Sequence, residues 1–404
     1  MRRTMLFVLL IANLSASVAK ADFTLDVDED GEAKALTDGL LIIRYLFGFS
    51  GDALVNGATT AEAQRSTPEE IQAYLETNKE MLDIDGNGSV SALTDGLLII
   101  RSLFGFSGEA LTADAIDTAA QYQTAADIKL QISGILPPAP RVDFSIYLHE
   151  SMPSEWREDF QSMWSTFELY LPAMKSSEHQ NVRVFAWLNT VNSPYKDIIG
   201  EDLGGMGINS FWDETSQIWD HVMVLEFWPG DLQPRNPRTY SPVAHEYFHI
   251  FQITRANNLS GSPRWLTEGT ATTFESVFVQ NYFDMAYLNS DWIADQTVTN
   301  NPAIHETYDV KDPNYASSVF MVLVLTKELQ KLGYSETEAF RAVFIDYWEM
   351  HGLVSDKDEA FKQVFEMTRE AFYQILGTYD LDYGKVLPSK NLKISDVFQA
   401  ETKK

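Results

Sequence analysis

Residues 241–276 read SPVAHEYFHIFQITRANNLSGSPRWLTEGTATTFES. His245 and His249 stand four apart, with Glu246 directly after the first. On a helix, residues i and i+4 stack on one face, so both imidazoles can be offered to one cation. Val243, Ile250, Phe251 and Ile253 are the apolar positions that would embed such a helix in a core and hold the rings still. A buried helix whose histidines only hydrogen-bond fits the same pattern, and the stretch that follows bears on the choice. Glu268 opens a second helical segment after eighteen intervening residues from His249. Two imidazoles on one helix and a carboxylate on the next make a three-ligand set with a fourth position open to water, as hydrolytic zinc requires. Glu275, seven residues beyond Glu268, falls on nearly the same helical face, where it would orient a ligand histidine through its second nitrogen or stand at the surface.

The chain around this stretch has 404 residues, which predicts a large domain plus a smaller one. Its net charge of -28 opposes nucleic-acid phosphates and anionic lipid and favours cations. The absence of cysteine excludes disulfides and thiolate metal sites. The opening MRRTMLFVLLIANLSASVAKA has a basic start, a short apolar run from Met5 to Ala12 and a small-x-small ending, and reads as a secretory signal over residues 1–21, cleaved before Asp22. That apolar run is far short of the roughly 20 residues that span a bilayer. A secreted, periplasmic or extracellular location is expected, with no nucleic-acid or membrane partner.

The segment LDVDEDGEAKALTDGLLIIRYLFGFSGDAL from Leu25 recurs from Leu82 as LDIDGNGSVSALTDGLLIIRSLFGFSGEAL. Each copy opens with alternating oxygen side chains and a glycine: Asp26, Asp28, Asp30 and Gly31, then Asp83, Asp85, Asn87 and Gly88. Several oxygens converging on one point, with a glycine at the sixth place to turn the loop, suit a hard divalent cation. An acidic loop that merely caps the following helix is the alternative. Over residues 22–118 the two copies resemble the tandem calcium-loop units of dockerin type I modules. The resemblance implies calcium on Asp26, Asp28, Asp30 and Asp38 and on Asp83, Asp85, Asn87 and Asp95, and a cohesin-type partner. The chain departs from the pattern in that Asp38 and Asp95 fall at place 13 of the loop, where the EF-hand has its acid at 12. From 119 to 140 the composition and the closely spaced Pro137, Pro138 and Pro140 predict a linker.

From 141 to 404 the pattern is α+β. VDFSIYLHE, VRVFAWLNTV and HVMVLEFW read as strands, Glu155 to Ala173 as a helix, and the chain from Ser241 onward as mainly helical. The two histidines and Glu246, followed by Trp265-Leu266-x-Glu268-Gly269-x-Ala271 and Glu275, resemble the gluzincin metallopeptidases, especially their aminopeptidase-like branch. The likeness is specific over residues 241–276 and implies a thermolysin/aminopeptidase-like catalytic domain behind the small α-helical dockerin-like module. It implies zinc on His245, His249 and Glu268, Glu246 as the general base toward water, and a tyrosine downstream as donor to the oxyanion. Tyr315, ahead of a long apolar helix, fits that place best, with Tyr308 and His305 as rivals.

A peptide or protein substrate follows from this resemblance. Aminopeptidases of that branch hold the substrate amine with a glutamate in a Gly-x-Met-Glu-Asn stretch, whereas Gly204-Gly205-Met206-Gly207-Ile208-Asn209 has Gly207 there. An endopeptidase is therefore expected, aligning its substrate on an edge strand near HVMVLEF. Glu201 or Glu226 could supply the charge from elsewhere, which keeps the aminopeptidase as the alternative. An inactive peptidase fold displayed for binding would lack the base or a ligand, and all are present. Polysaccharide hydrolysis would need a pair of acids, and none stands out.

Overall fold

The duplicated ALTDGLLII sequence folds the same way twice. In this computed structural model, which describes residues 23–399 apart from 107, 138–140, 310 and 355, each copy makes a wide turn and then a short helix, α1 (Leu40–Leu46) in the first. The chain continues through α2 (Pro68–Thr77), started by a capping box between Thr67 and Glu70, to the second copy's α3 (Leu97–Leu103). Leu41 and Ile42 of one copy and Leu98 and Ile99 of the other are fully buried together with Ile71 and Leu75. Glycine lets the copies pack closely where they cross: a Cβ at Gly39 would lie 3.1 Å from Ile100 Cγ1, and one at Gly96 3.1 Å from Leu46 Cδ1. The expected linker over 119–140 needs correction, because it contains α4 (Ala125–Ser133). Ile128 and Ile132 of α4 are buried in the same core, so apolar spacing there outweighs the polar composition.

This first compact unit is Met1–Ala139 and the second Pro140–Lys404. The signal expected over residues 1–21 lies outside the described residues. Among the described residues no helix is long and apolar enough to cross a membrane.

The second unit holds a four-stranded sheet in the order β1-β2-β4-β3. β1 (Asp143–Leu148) is followed by α5 (Ser154–Tyr170), the crossover needed to bring β2 (His179–Leu188) alongside it in parallel. β3 (Met206–Asp213) pairs antiparallel with β4 (Ile218–Phe227), which lies parallel to β2. HVMVLEF therefore cannot be the expected edge, since β4 has a neighbour on each side. The free edge nearest the metal-type motif is β3, whose MGINSFWD combines glycine and asparagine with half-exposed apolar residues and carries no clean strand pattern. Val182, Val184, Met223 and Leu225 face the main core, and Phe185, Trp187, Val222 and Val224 form a smaller cluster on the other face.

Helix α6 (Ser241–Ala256) lies against β3 and β4, α7 (Arg264–Phe283) packs on α6, and α8 (Ala316–Lys331) packs on α7. Every residue of α7 from Arg264 to Val279 is buried, so the helix has no solvent stripe for periodicity to reveal. A buried chain of hydrogen bonds runs from Asn257 O to His179 Nε2 (2.5 Å), from His179 Nδ1 to His221 Nε2 (2.8 Å) and from His221 Nδ1 to Ser210 Oγ (2.8 Å). It ties the end of α6 to β3, and burial pushes the His221 ring down to about 4.

Helices α7 and α8 meet at Gly269, where a Cβ would lie 2.5 Å from Ser318 O and 2.9 Å from Val322 Cγ2. Backbone cannot yield as a side chain can, so Gly269→Ala is expected to destabilise the second unit by about 1–3 kcal/mol or more, read from its chemical unfolding. An unchanged midpoint would show that the helices separate freely at this point.

Candidate functional site

Helices α6 and α7 bring together the side chains that the spacing singled out. His245, Glu246, Glu268 and Glu275 are each less than a tenth exposed, and His249 is half-buried. His245 Nε2 and His249 Nε2 are 3.0 Å apart, and Glu268 Oε2 lies 3.4 Å from the first and 3.3 Å from the second. The outer nitrogens are already engaged: His245 Nδ1 is 3.0 Å from Glu275 Oε2, and His249 Nδ1 is 2.7 Å from Gln252 Oε1. Gln252 has no freedom to reverse its amide, because its Nε2 donates to Thr267 O (3.1 Å) and Thr270 Oγ1 (2.8 Å). Its Oε1 must therefore accept, and the His249 proton sits on Nδ1.

With Nδ1 donating on both rings, two nitrogen lone pairs and one carboxylate oxygen face a common point, and buried Glu268 Oε2 has no hydrogen-bond donor. Those three ligand atoms lie within 4.8 Å of one another. An acceptor-only trio out of water calls for a cation, and nitrogen and oxygen donors in this number suit zinc. Without it the positive charge must be a proton. Burial alone would lower the His245 pKa, but the Glu268 and Glu275 carboxylates, which accept from the protonated ring, outweigh it and hold the ring well above its usual value. Gln252 escaped the sequence reading. Its signal was its place three residues after His249, on the same helical face.

Glu246 joins none of these bonds and lines the cleft from both sides. Burial, only partly offset by the two imidazoles, holds its carboxyl above the usual range. One lobe of about 240 Å³ is lined by Met206, Arg238, Ser241 and Tyr287. The other, about 250 Å³, runs along Met206, Ile208 and Ser210 of β3 to His249 and Leu259. Tyr315 borders both lobes and stacks on the His245 ring at 5.7 Å between centroids. Its backbone is left-handed (φ 53°, ψ 26°), a strained state for an aromatic residue. Burial, then the charges of Glu268 and Glu246, push its phenol up to about 12 and keep the proton on it. Tyr308 instead donates to Glu268 Oε1 at 2.5 Å. His305 is fully buried against Thr297 Oγ1 (2.9 Å) and lines neither lobe.

The expectation for Gly207 needs correction. It pairs with Val224, so a side chain there would point to the face opposite α6. Its backbone lines the lobe along β3, but the space left by its missing side chain is on the other face. Glu226 also lies on that opposite face, with Oε2 accepting from Gly205 N (2.6 Å), and Glu201 lines neither lobe.

In the first unit Asp26, Asp28 and Asp30 each bring an oxygen within 4.8 Å of the others, as do Asp83, Asp85 and Asp95. Asp28 Oδ1 is buried without a donor, and burial, with the Asp38 charge beside it, pushes that carboxyl up. Asp38 is outside the first group. Its oxygens accept from Val27 N (2.6 Å), Asp28 N (3.2 Å), Lys34 N (2.8 Å) and Thr37 Oγ1 (2.8 Å). Asp95 makes the matching bonds to Ile84 N (2.8 Å) and Ser91 N (2.9 Å) and still falls within the second group. Asn87, at the place of Asp30, donates from Nδ2 to Asp85 Oδ2 (3.2 Å). The Lys34 ammonium sits 3.0 Å from Asp30, a cation the second loop replaces with Ser91.

Comparison with protein-family models, with curated proteins and with solved structures finds no match for this chain. The chemistry is therefore carried by the geometry, and the two histidines, the adjoining Glu246 and the distal Glu268 form the catalytic arrangement of a zinc metallopeptidase. If Gln252 sets the His249 tautomer, Gln252→Leu should weaken zinc binding about 10–100-fold in a chelator competition. Parent-like affinity would dismiss that role.

Proposed function

We propose that the chain is a secreted zinc-dependent endopeptidase. The observation that carries the peptidase reading is the meeting of three acceptor atoms from His245, His249 and Glu268 beside an uncommitted, buried Glu246. His245, His249 and Glu268 would hold zinc, which when bound would supply a Lewis acid toward water and the scissile carbonyl. Glu246 takes the proton of the water as its oxygen forms a bond to the carbonyl carbon. The same carboxyl then returns that proton to the departing amine as the C–N bond breaks. Tyr315 donates its phenolic hydrogen to the oxygen that gains charge, and its high pKa supports that role across the neutral range. Glu275 and Gln252 keep the two imidazoles turned inward.

An internal cut, rather than removal of one terminal residue, is supported by two features. The open edge of β3 can pair with an extended chain that runs past the centre on both sides. Among the described residues, neither lobe is lined by a carboxylate other than Glu246, Glu268 and Glu275, so no further acid is available to fix a free amine. Export is inferred from the opening residues of the sequence.

For the first unit we infer calcium at the two aspartate groups, on the strength of their duplicated geometry and the donorless Asp28 Oδ1.

Two measurements check these readings. An internally quenched peptide with an acetylated amino end should be cleaved by the parent, and Glu246→Gln should lose at least the roughly 10²–10⁴-fold that a general base contributes, with zinc still bound. Cleavage of the free-amine peptide alone would make the enzyme an aminopeptidase, and a glutamine variant near parent activity would remove Glu246 from the mechanism. Calcium added to the metal-depleted full chain should raise the midpoint of a thermal transition, the stabilisation being about 2.7 kcal/mol per site at a hundredfold excess over its Kd. Asp85→Asn, which removes one of the two groups, should diminish that rise; no rise in the parent would leave the loops as helix caps.

A further inference from the structure

Tyr308 is 69% exposed, yet it is held at both ends. Its hydroxyl donates to Glu268 Oε1 at 2.5 Å. Its ring lies under the Arg264 guanidinium, 5.1 Å from the ring centroid, and the same guanidinium stands 5.1 Å from the centroid of Tyr315. Arg264 is itself only 6% exposed and sits four residues before Glu268, one turn earlier on α7. Its Nη1 is 3.5 Å from Asp312 Oδ2. That carboxylate also accepts from Ser317 N (2.7 Å), Ser318 N (3.0 Å) and Ser318 Oγ (2.7 Å) at the start of α8. One buried cation thus joins the helix that carries Glu268, the loop that carries Tyr308 and the turn that carries Tyr315.

The two oxygens of Glu268 have different surroundings as a result. Oε1 is committed to the phenol, whereas Oε2 faces both imidazole Nε2 atoms and has no donor. A carboxylate can bind a metal through one oxygen or both, and a hydrogen bond that occupies one leaves the other as the ligand. We propose that Tyr308 is a positioning residue for the third ligand: its phenol commits Glu268 to bind zinc through Oε2, and Arg264 holds the ring in place to do so. This rests on the zinc reading of the site but not on its peptidase activity. It also separates the two tyrosines that the sequence left as rivals. Both tyrosines line the lobe along β3, but the Tyr308 hydrogen is occupied by a ligand oxygen, while Tyr315 stacks on His245 and borders the second lobe as well.

Tyr308→Phe removes the hydroxyl and keeps a ring for Arg264. In the full chain, zinc affinity measured against a chromophoric chelator should fall at least about fivefold, within reach of the 10–100-fold typical of such supporting contacts. The visible absorption of the cobalt-substituted variant should change with it, because the carboxylate is free to bind differently. The unfolding midpoint of the metal-free variant should match the parent, which separates positioning from a general loss of structure. Tyr315→Phe should leave zinc affinity and the cobalt spectrum as in the parent. A smaller loss of affinity in Tyr308→Phe, or an unchanged cobalt spectrum, overturns the proposal. A parent chain that binds zinc but cleaves no peptide overturns the peptidase reading alone and leaves this comparison decisive.

Discussion

Three carboxylates and two imidazoles are packed where α6 and α7 cross, nearly all of them out of contact with water. Buried charge without compensation is among the costliest features a protein can contain, so this cluster must hold positive charge at its centre. Its hydrogen-bond directions say where. Glu275 and Gln252 take the outer protons of the two rings, and every remaining atom that faces inward is an acceptor. The surrounding packing serves this geometry. Gly269 lets α8 come against α7 beside Glu268, and the ring of Tyr247, one residue after Glu246, stacks on Phe167 at 4.5 Å between centroids.

The substrate side of the centre is built from less regular parts. Tyr315 sits in a left-handed conformation between a short turn and α8, and Asp312 fastens that turn by accepting from the first amides of the helix. Strain of this kind persists only where the surroundings over-determine it. Here a stacked imidazole and a guanidinium lie against the same ring. β3 closes the other side of the cleft, anchored to the end of α6 through the His179 and His221 rings.

The first unit follows a separate logic. Each copy of the repeat offers one face of a short helix, too small to make a core by itself, and the two faces bury each other with α2 and α4. The aspartate loops lie at the starts of these helices, where a closing carboxylate bonds backbone amides of its own loop. The two loops are not equal: Lys34 stands over Asp30 in the first, and only in the second does the closing Asp95 join the oxygen group.

Much of this was legible in the sequence because it depends on local spacing. Histidines four apart must share a helical face, a second carboxylate on the next helix makes a third ligand, and a repeated Asp-x-Asp-x-Asp/Asn-Gly brings its oxygens together within one loop. The strands β1, β2 and β4 were legible because their apolar residues are continuous or alternate. What the tertiary structure alone decided depends on residues far apart in the chain. β3 escaped as a strand because its mixed residues owe their extended form to pairing with β4, and the pairing register turned Gly207 and Glu226 away from the centre. α4 escaped because its isoleucines had no visible partner until the first core closed. The different surroundings of the Tyr308 and Tyr315 hydroxyls were equally closed to sequence reading. Both lie in irregular segments with no period to read, and what separates them is the direction of one hydroxyl toward Glu268, forty residues away.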